Sequence, residues 1–412
     1  MLNETLCENK LSHHVTARLF KDIRIEDKER SFILALYLGV LEQLVLLDYN
    51  LKEYSSVPFE KIKPVIKNIL RQALYQMFFM DSVPQRAAVY EAVRLVQIRK
   101  LASLKGFVNG ILRNIQRNGL KEDMPRHVLC SVPQWMYEKL VRERGKDATE
   151  DFFLCSLKKG IPACASLNVH TATEEEILRC LREDGCSAVV NPDGICEIIS
   201  PKKLEELKAY TLGYLYFQSP NSKITSRAAQ THLGSIKNPF IMDVCAAPGG
   251  KSINLALAFG GAQILASDRS AAKVSLIEEN VKRMGLANIK TRVSDARVFD
   301  EACAQRADLV VVDAPCSGIG VISNKPDIKY RLKEEDIPSL VQLQREILRA
   351  SSGYVKEGGI LVYSTCTLTK EENEDNAKWF AADSGFRLLS QELHFKYEER
   401  ADGFYAAAFA KN

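Results

Sequence analysis

The sequence predicts a multidomain chain. An all-helical bundle is expected over residues 1–125. A linker and a small α+β module follow over 126–235, and a doubly wound, mostly parallel α/β domain over 236–412. Three observations predict this. Apolar residues in the first third recur at helical spacing with no alternating run between them. The middle third mixes short helical and short extended patterns. From residue 236 the pattern becomes strand, turn, helix, repeated, and its first turn is rich in glycine.

In the front third the helical spacing is carried by Phe32, Leu34, Leu36, Leu38 and Leu41, by Val65, Ile69, Leu70 and Leu74, and by Ala88, Val89, Ala92, Val93 and Val96. Gly39, Pro58, Pro64, Pro84 and Gly106 punctuate it as short connections do. Lys121–His127, polar and containing Pro125, reads as the linker. In the module, helices are expected over Trp135–Arg144 and Glu174–Glu183. Extended runs are expected over Ala163–Val169, Gly194–Ile199 and Tyr214–Phe217. In the last domain the expected strands are Phe240–Val244, Gln263–Ser267, Ile289–Val293, Leu309–Val312 and Ile360–Ser364. Helices fill 252–259, 270–284 and 337–355. Cys245, Asp268, Asp295, Asp313 and Cys366 all fall at carboxyl ends of strands, where ligands bind in such sheets.

A chain of 412 residues is long enough to build cores without covalent staples. Its eleven cysteines include no CxxC pair, which argues against a zinc site and for a reducing cytoplasm; no metal is expected. No basic-apolar-cleavage pattern opens the chain, so no signal peptide is expected. The most apolar stretch, Phe32–Leu47, is broken by Glu42 and Gln43 and is short for a membrane span. Residues 1–128 carry 20 Lys and Arg against 14 Asp and Glu, whereas the remainder carries 36 against 38. A basic front on a near-neutral body suggests a polyanionic partner, although solvated helix faces have the same composition. Lys325, Lys329, Arg331 and Lys333 form a second basic run, suited to backbone phosphates.

The glycine-rich turn is Cys245-Ala246-Ala247-Pro248-Gly249-Gly250-Lys251. Glycines opening a helix let a ligand approach main-chain N–H groups. A Walker A loop requires glycine where Cys245 stands, and the dinucleotide fingerprint is absent. S-adenosylmethionine has no pyrophosphate and needs neither pattern. Asp268 is placed to accept its ribose hydroxyls and Asp295 its adenine amino group. One such aspartate alone could be a helix cap; two on successive strand ends beside the loop favour the cofactor. Downstream, Cys316 and Cys366 each end an apolar strand-like run, which pairs a nucleophile with an assisting group.

Cys245–Lys251, the Asp313-Ala-Pro-Cys316 motif and the Tyr363-Ser-Thr-Cys-Thr-Leu368 motif together resemble the RNA cytosine-5 methyltransferases. Pro326–Arg331 and Asp402–Tyr405 add to the likeness. Val83–Val93 and Lys105–Arg113 look like the helical NusB-type RNA-binding fold. The combination is similar to the bacterial RsmB (Sun/Fmu) family, and the resemblance spans nearly the whole chain. It implies a NusB-like front and a Rossmann-like, class I S-adenosyl-L-methionine-dependent catalytic domain. The expected activity is methylation of a specific cytosine in 16S ribosomal RNA, free or in a small-subunit assembly intermediate. A cytoplasmic monomer that binds no membrane is expected. The resemblance also implies that Cys366 is the nucleophile, that Cys316 assists breakdown of the adduct, and that Asp313 holds the base. Cys245–Lys251, Asp268, Asp295 and Asp313 would hold the cofactor, with the Cys245 thiol itself inert. Ser166-Leu167-Asn168, Gln218-Ser219 and Lys325 depart from the family's usual residues, in what is expected to be the RNA-facing region. Two rivals remain at this point: a transfer RNA methyltransferase, and an RNA-binding assembly factor with an inactive catalytic domain.

Overall fold

The computed structural model describes residues 1–22, 25–200, 202–234, 236–398 and 400–411. It contains two compact units. The first is Met1–Leu157 together with Ile322–Glu334; the second is Lys158–Val321 together with Glu335–Asn412. The compact units therefore do not follow the sequence boundaries after residues 125 and 235. Helices Gln134–Arg144 and Lys146–Cys155 belong with the helical front, and the small module shares a unit with the large sheet.

The helical unit packs Asp27–Glu42, Leu44–Tyr54, Pro64–Phe79, Gln85–Ile98 and Lys105–Asn118 around one core. Pro64 opens its helix where a missing N–H costs nothing. Ile66, Leu70 and Leu74 then repeat every fourth residue on one face, and all three are fully buried. Each such side chain contributes roughly 1.5–3 kcal/mol on leaving water. Among the described residues no single helix is long and apolar enough to cross a membrane.

The segment 322–334 corrects the expectation of a phosphate-binding run. Lys329 is 2% exposed. Its ammonium donates to the carbonyls of Glu42, 2.7 Å, and Ser131, 2.9 Å, so it meets the carboxyl end of helix Asp27–Glu42. Tyr330 donates to the Leu41 carbonyl at 2.6 Å. Buried Asp327 accepts from Ser12 Oγ at 2.5 Å, at the start of helix Ser12–Asp22, and Arg331 pairs with Asp327. Charges matched to helix ends are structural here. Of the four basic residues in the run, Lys325 and Lys333 are exposed.

In the second unit, β1 (Ala163–Leu167), β2 (Ser187–Val190), β3 (Ile195–Ile199) and β4 (Leu215–Phe217) form an antiparallel sheet in the order β2-β3-β1-β4. Helices Glu174–Glu183 and Lys208–Thr211 complete a split β-α-β module. The first is started by a capping box between Thr173 and Glu176. Ser166, expected to face RNA, is 3% exposed and bonded to Gln218, which exchanges hydrogen bonds with Asn254. That departure from the family pattern lies in an internal polar network.

The large sheet contains β5 (Phe240–Asp243), β6 (Gln263–Asp268), β7 (Ile289–Val293), β8 (Ala307–Asp313), β9 (Val355–Thr365), β10 (Phe386–Tyr397) and β11 (Arg400–Lys411). Their order is β10-β11-β9-β8-β5-β6-β7. β5 to β9 pair in parallel, and β11 runs antiparallel between β9 and β10. Strand order reverses between β5 and β8. In such sheets the crevice beyond that reversal receives the ligand.

Candidate active site

A cavity of about 230 Å³ opens at the carboxyl ends of β5 to β8. β5 leads into Val244, Cys245 and Ala247; β6 supplies Asp268; β7 leads to Asp295; β8 ends at Asp313. Leu343 and Ile347, from helix Ile337–Ser352, form an apolar wall. Carboxylates opposite an apolar wall suit a ligand with hydroxyls, a cationic end and a flat base. The same carboxylates disfavour a triphosphate.

The glycine turn divides its labour. Gly249 sits at φ +108°, a conformation that side chains strain to adopt, and caps helix Gly250–Ala258. A Cβ on Gly250 would come within 2.9 Å of the Tyr216 ring. Ala246 closes the turn by donating to Ser267 O and accepting from Gly249 N–H, and the Pro248 carbonyl accepts from Asn280. Ser252 donates to buried Asp243 at 2.7 Å, fastening the helix to β5. Of the residues expected to hold the cofactor, Cys245, Ala247, Asp268, Asp295 and Asp313 line the cavity. Ala246, Pro248, Gly249 and Gly250 shape the turn behind them.

The two aspartates differ in their surroundings. Asp268 is 6% exposed; it accepts the Ser270 N–H at 3.2 Å and lies 3.5 Å from the Lys273 ammonium. Asp295 holds a bidentate pair with Arg297 and accepts its N–H as well. These bonds hold its carboxyl down at about 2. The Cys245 thiol is pushed far up, by burial first and then by nearby aspartates, and is chemically quiet.

The expected catalytic residues converge. Cys316 Sγ and Cys366 Sγ lie 3.4 Å apart, both partly exposed. Asp313 accepts from Ser364 Oγ at 2.9 Å and pairs with Lys251 Nζ at 2.5 Å. Lys251 is thus turned toward Asp313 and the Phe404 ring, 5.6 Å away, and does not line the cavity. Burial opposes its charge, but Asp313 and then Cys366 outweigh that and raise it. Cys316 is held well above the usual thiol range. Hydrogen bonding to Cys366 is the largest cause, followed by burial and by the negative charges of Cys366 and Glu372. The two thiols therefore differ: Cys366 lies in the field of an ammonium, and Cys316 in that of a buried carboxylate.

Sequence reasoning missed this electrostatic division. Its place in the turn points Lys251 to the cofactor instead. Glu372 was hidden in a polar run, Thr369-Lys-Glu-Glu-Asn373, that reads as solvated loop.

Comparison with known proteins agrees with the geometry. The family model described as 16S rRNA methyltransferase RsmB/F matches residues 230–409, and the NusB family model matches residues 2–117. The chain is 35% identical over 371 residues to the probable ribosomal RNA small subunit methyltransferase B of Bacillus subtilis (strain 168), covering 87% of this chain and 81% of that protein. It is 29% identical over 409 residues to ribosomal RNA small subunit methyltransferase B of Klebsiella pneumoniae, covering 94% and 91%. The crystal structure of PH0851 superposes with TM-score 0.79 at 28% identity, covering 97% of this chain and 94% of that one. NSun6 from Pyrococcus horikoshii, at 21% identity and TM-score 0.60, covers 68% of this chain and 98% of its own, and shares the fold. Similarity of this extent, together with the converged site, makes the chain a member of the RsmB/F family of methyltransferases, S-adenosyl-L-methionine-dependent enzymes acting on cytosine C5 of RNA, with a NusB family domain at its front.

Proposed function

We propose that this enzyme methylates carbon 5 of a specific cytosine in 16S ribosomal RNA, in the cytoplasm, through a covalent Cys366 adduct. The observation that carries the chemistry is the shared position of Asp313. It lines the cavity and, through Lys251, faces Cys366. The basic balance of residues 1–128 supports an RNA partner for the front.

Bound in the cavity, S-adenosylmethionine supplies an electrophilic methyl group. Asp268 would take the ribose hydroxyls and Asp295 the adenine amino group. Carbon 5 of cytosine is a weak nucleophile until a thiolate adds to carbon 6. The Cys366 thiolate makes that bond, and the carbon 5–carbon 6 π electrons become available at carbon 5. Asp313 accepts from the exocyclic amino group. The Lys251 ammonium donates where negative charge grows on the ring, at N3 and O2. The target base must be unpaired or flipped to reach these groups. After methylation the carbon 5 proton leaves to water and its electron pair restores the double bond. The carbon 6–sulfur pair returns to Cys366. The Cys316 thiol, 3.4 Å away, directs its hydrogen at that departing sulfur and stabilises it.

Asp268→Ala should weaken cofactor binding by ~30-fold to ~100-fold, on the order of 2–3 kcal/mol for a lost charge-assisted bidentate contact. Unchanged affinity by calorimetry, in a folded variant, would remove the ribose assignment. Bisulfite mapping of RNA from cells lacking the gene tests the substrate. One cytosine of 16S RNA should lose its methyl group and regain it on complementation. Loss of a transfer RNA site, with 16S RNA unchanged, would overturn the assignment.

A further inference from the structure

Behind the two thiols lies a buried polar network that the chemistry described so far does not use. At its centre is Glu372, 0% exposed. Its Oε1 accepts the Ser317 N–H at 2.9 Å and Gln344 Nε2 at 3.0 Å. Its Oε2 accepts Ser317 Oγ at 2.5 Å and Thr369 Oγ1 at 2.7 Å. Gln344 Nε2 also donates to the Pro315 carbonyl at 3.0 Å, so the residues on either side of Cys316 are both tied into this network. Asn376 orients Gln344 by donating to its Oε1 at 2.8 Å. On the other loop, the Cys366 carbonyl accepts the Gly320 N–H at 3.0 Å, and Thr367 Oγ1 lies 2.6 Å from Ser317 Oγ. The Tyr363 hydroxyl donates to the Glu372 carbonyl at 2.6 Å.

We propose that Glu372 is a positioning residue for the methyltransferase reaction: it locks the Cys316 loop to the Cys366 loop so that the Cys316 thiol presents its hydrogen to the Cys366 sulfur. This rests on the reading of Cys366 as nucleophile and Cys316 as the resolving thiol. Four neutral donors meet one buried carboxylate, which fills its accepting capacity. If packing were the only purpose, an apolar side chain would serve at lower cost, because burying a charge without a cation is expensive. A fixed anion does what an apolar residue does not. It disfavours a second negative charge at Cys316 and leaves Cys366, beside Lys251, as the thiol that ionises. The Cys366 sulfur and the Glu372 carboxylate both act in this sense, and they outweigh the opposing hydrogen bond from the Cys366 main chain. The Lys251 ammonium is paired with Asp313 and is felt at Cys366.

The test uses the full-length enzyme with Glu372→Gln and Glu372→Asp. Alkylation of each cysteine by iodoacetamide is followed against pH by peptide mass spectrometry, without RNA. In Glu372→Gln the Cys316 midpoint should fall by about one pH unit, the order of a single nearby charge in a partly screened site. Covalent RNA–enzyme complex should accumulate during turnover. Cofactor affinity should stay within about two-fold, since Glu372 does not line that cavity. Glu372→Asp keeps the charge but shortens the reach; it should restore the alkylation midpoint while the complex still accumulates. Thr369→Val, which removes one donor, is the milder variant should Glu372→Gln not fold, and should show a smaller accumulation. An unchanged Cys316 alkylation profile, with activity lost only in step with melting temperature, would reduce Glu372 to a structural residue and overturn the proposal. If Cys316→Ala traps no complex, the resolving role of Cys316 fails, and the alkylation profile still decides whether Glu372 sets that thiol.

Discussion

Cys366→Ala should abolish methylation, by roughly 10⁶-fold, the scale on which enzymes lose rate with their nucleophile. No covalent complex with RNA should form. Cys316 is the nearest candidate, and it is held in its thiol form by Cys366, by burial and by Glu372. Removing Cys366 takes away the first of those causes but leaves the other two. Cofactor binding should be unaffected, since Cys366 does not line that cavity. The measurement is transfer of labelled methyl groups to RNA, with a denaturing gel for the complex. Residual turnover near wild type, or an adduct from this variant, would give the nucleophilic role to the other cysteine.

Much of this was legible in the sequence because the chemistry sits at strand ends. An apolar run that stops at aspartate or cysteine marks both the strand and its functional tip. Ile289–Val293 was readable to the residue, and β5, β6 and β8 to within two positions; β9 begins five residues before the expected Ile360. The hairpin of β10 and β11 was not. Phe404-Tyr-Ala-Ala-Ala-Phe409 is buried throughout and alanine-rich, so it shows neither alternation nor a β-branched signature. β2 is a four-residue strand, too short for periodicity to speak. The basic run after Cys316 misled for a different reason. Lys329 and Tyr330 find their partners on Glu42, Ser131 and Leu41, far away in sequence, and nothing local separates a lysine that caps a helix from one that meets phosphate. Glu372 escaped in the same way. Its four donors come from Ser317, Gln344 and Thr369, residues that only the fold brings together.

Cys316→Ala should behave in the opposite way to the first variant. The nucleophile remains, so carbon 6 is still attacked and the methyl group still arrives. The step that suffers is departure of Cys366 from carbon 6. On the proposed mechanism that sulfur leaves toward the Cys316 thiol, 3.4 Å away. Without it, the leaving thiolate develops its charge with Lys251 as the remaining stabiliser, and Lys251 is already paired with Asp313. Loss of a positioned proton donor costs on the order of 10²-fold to 10⁴-fold in rate. Turnover should fall by that amount while adduct formation continues, so enzyme should accumulate as a slow-migrating RNA complex on a denaturing gel. The complex should require cofactor, since departure stalls only after methylation. The double variant Cys316→Ala with Cys366→Ala should show no complex, which places the trapped bond on Cys366. A complex seen with Cys366→Ala and absent with Cys316→Ala would reverse the two roles. Absence of a complex from both, with methylation intact, would remove covalent catalysis from this site.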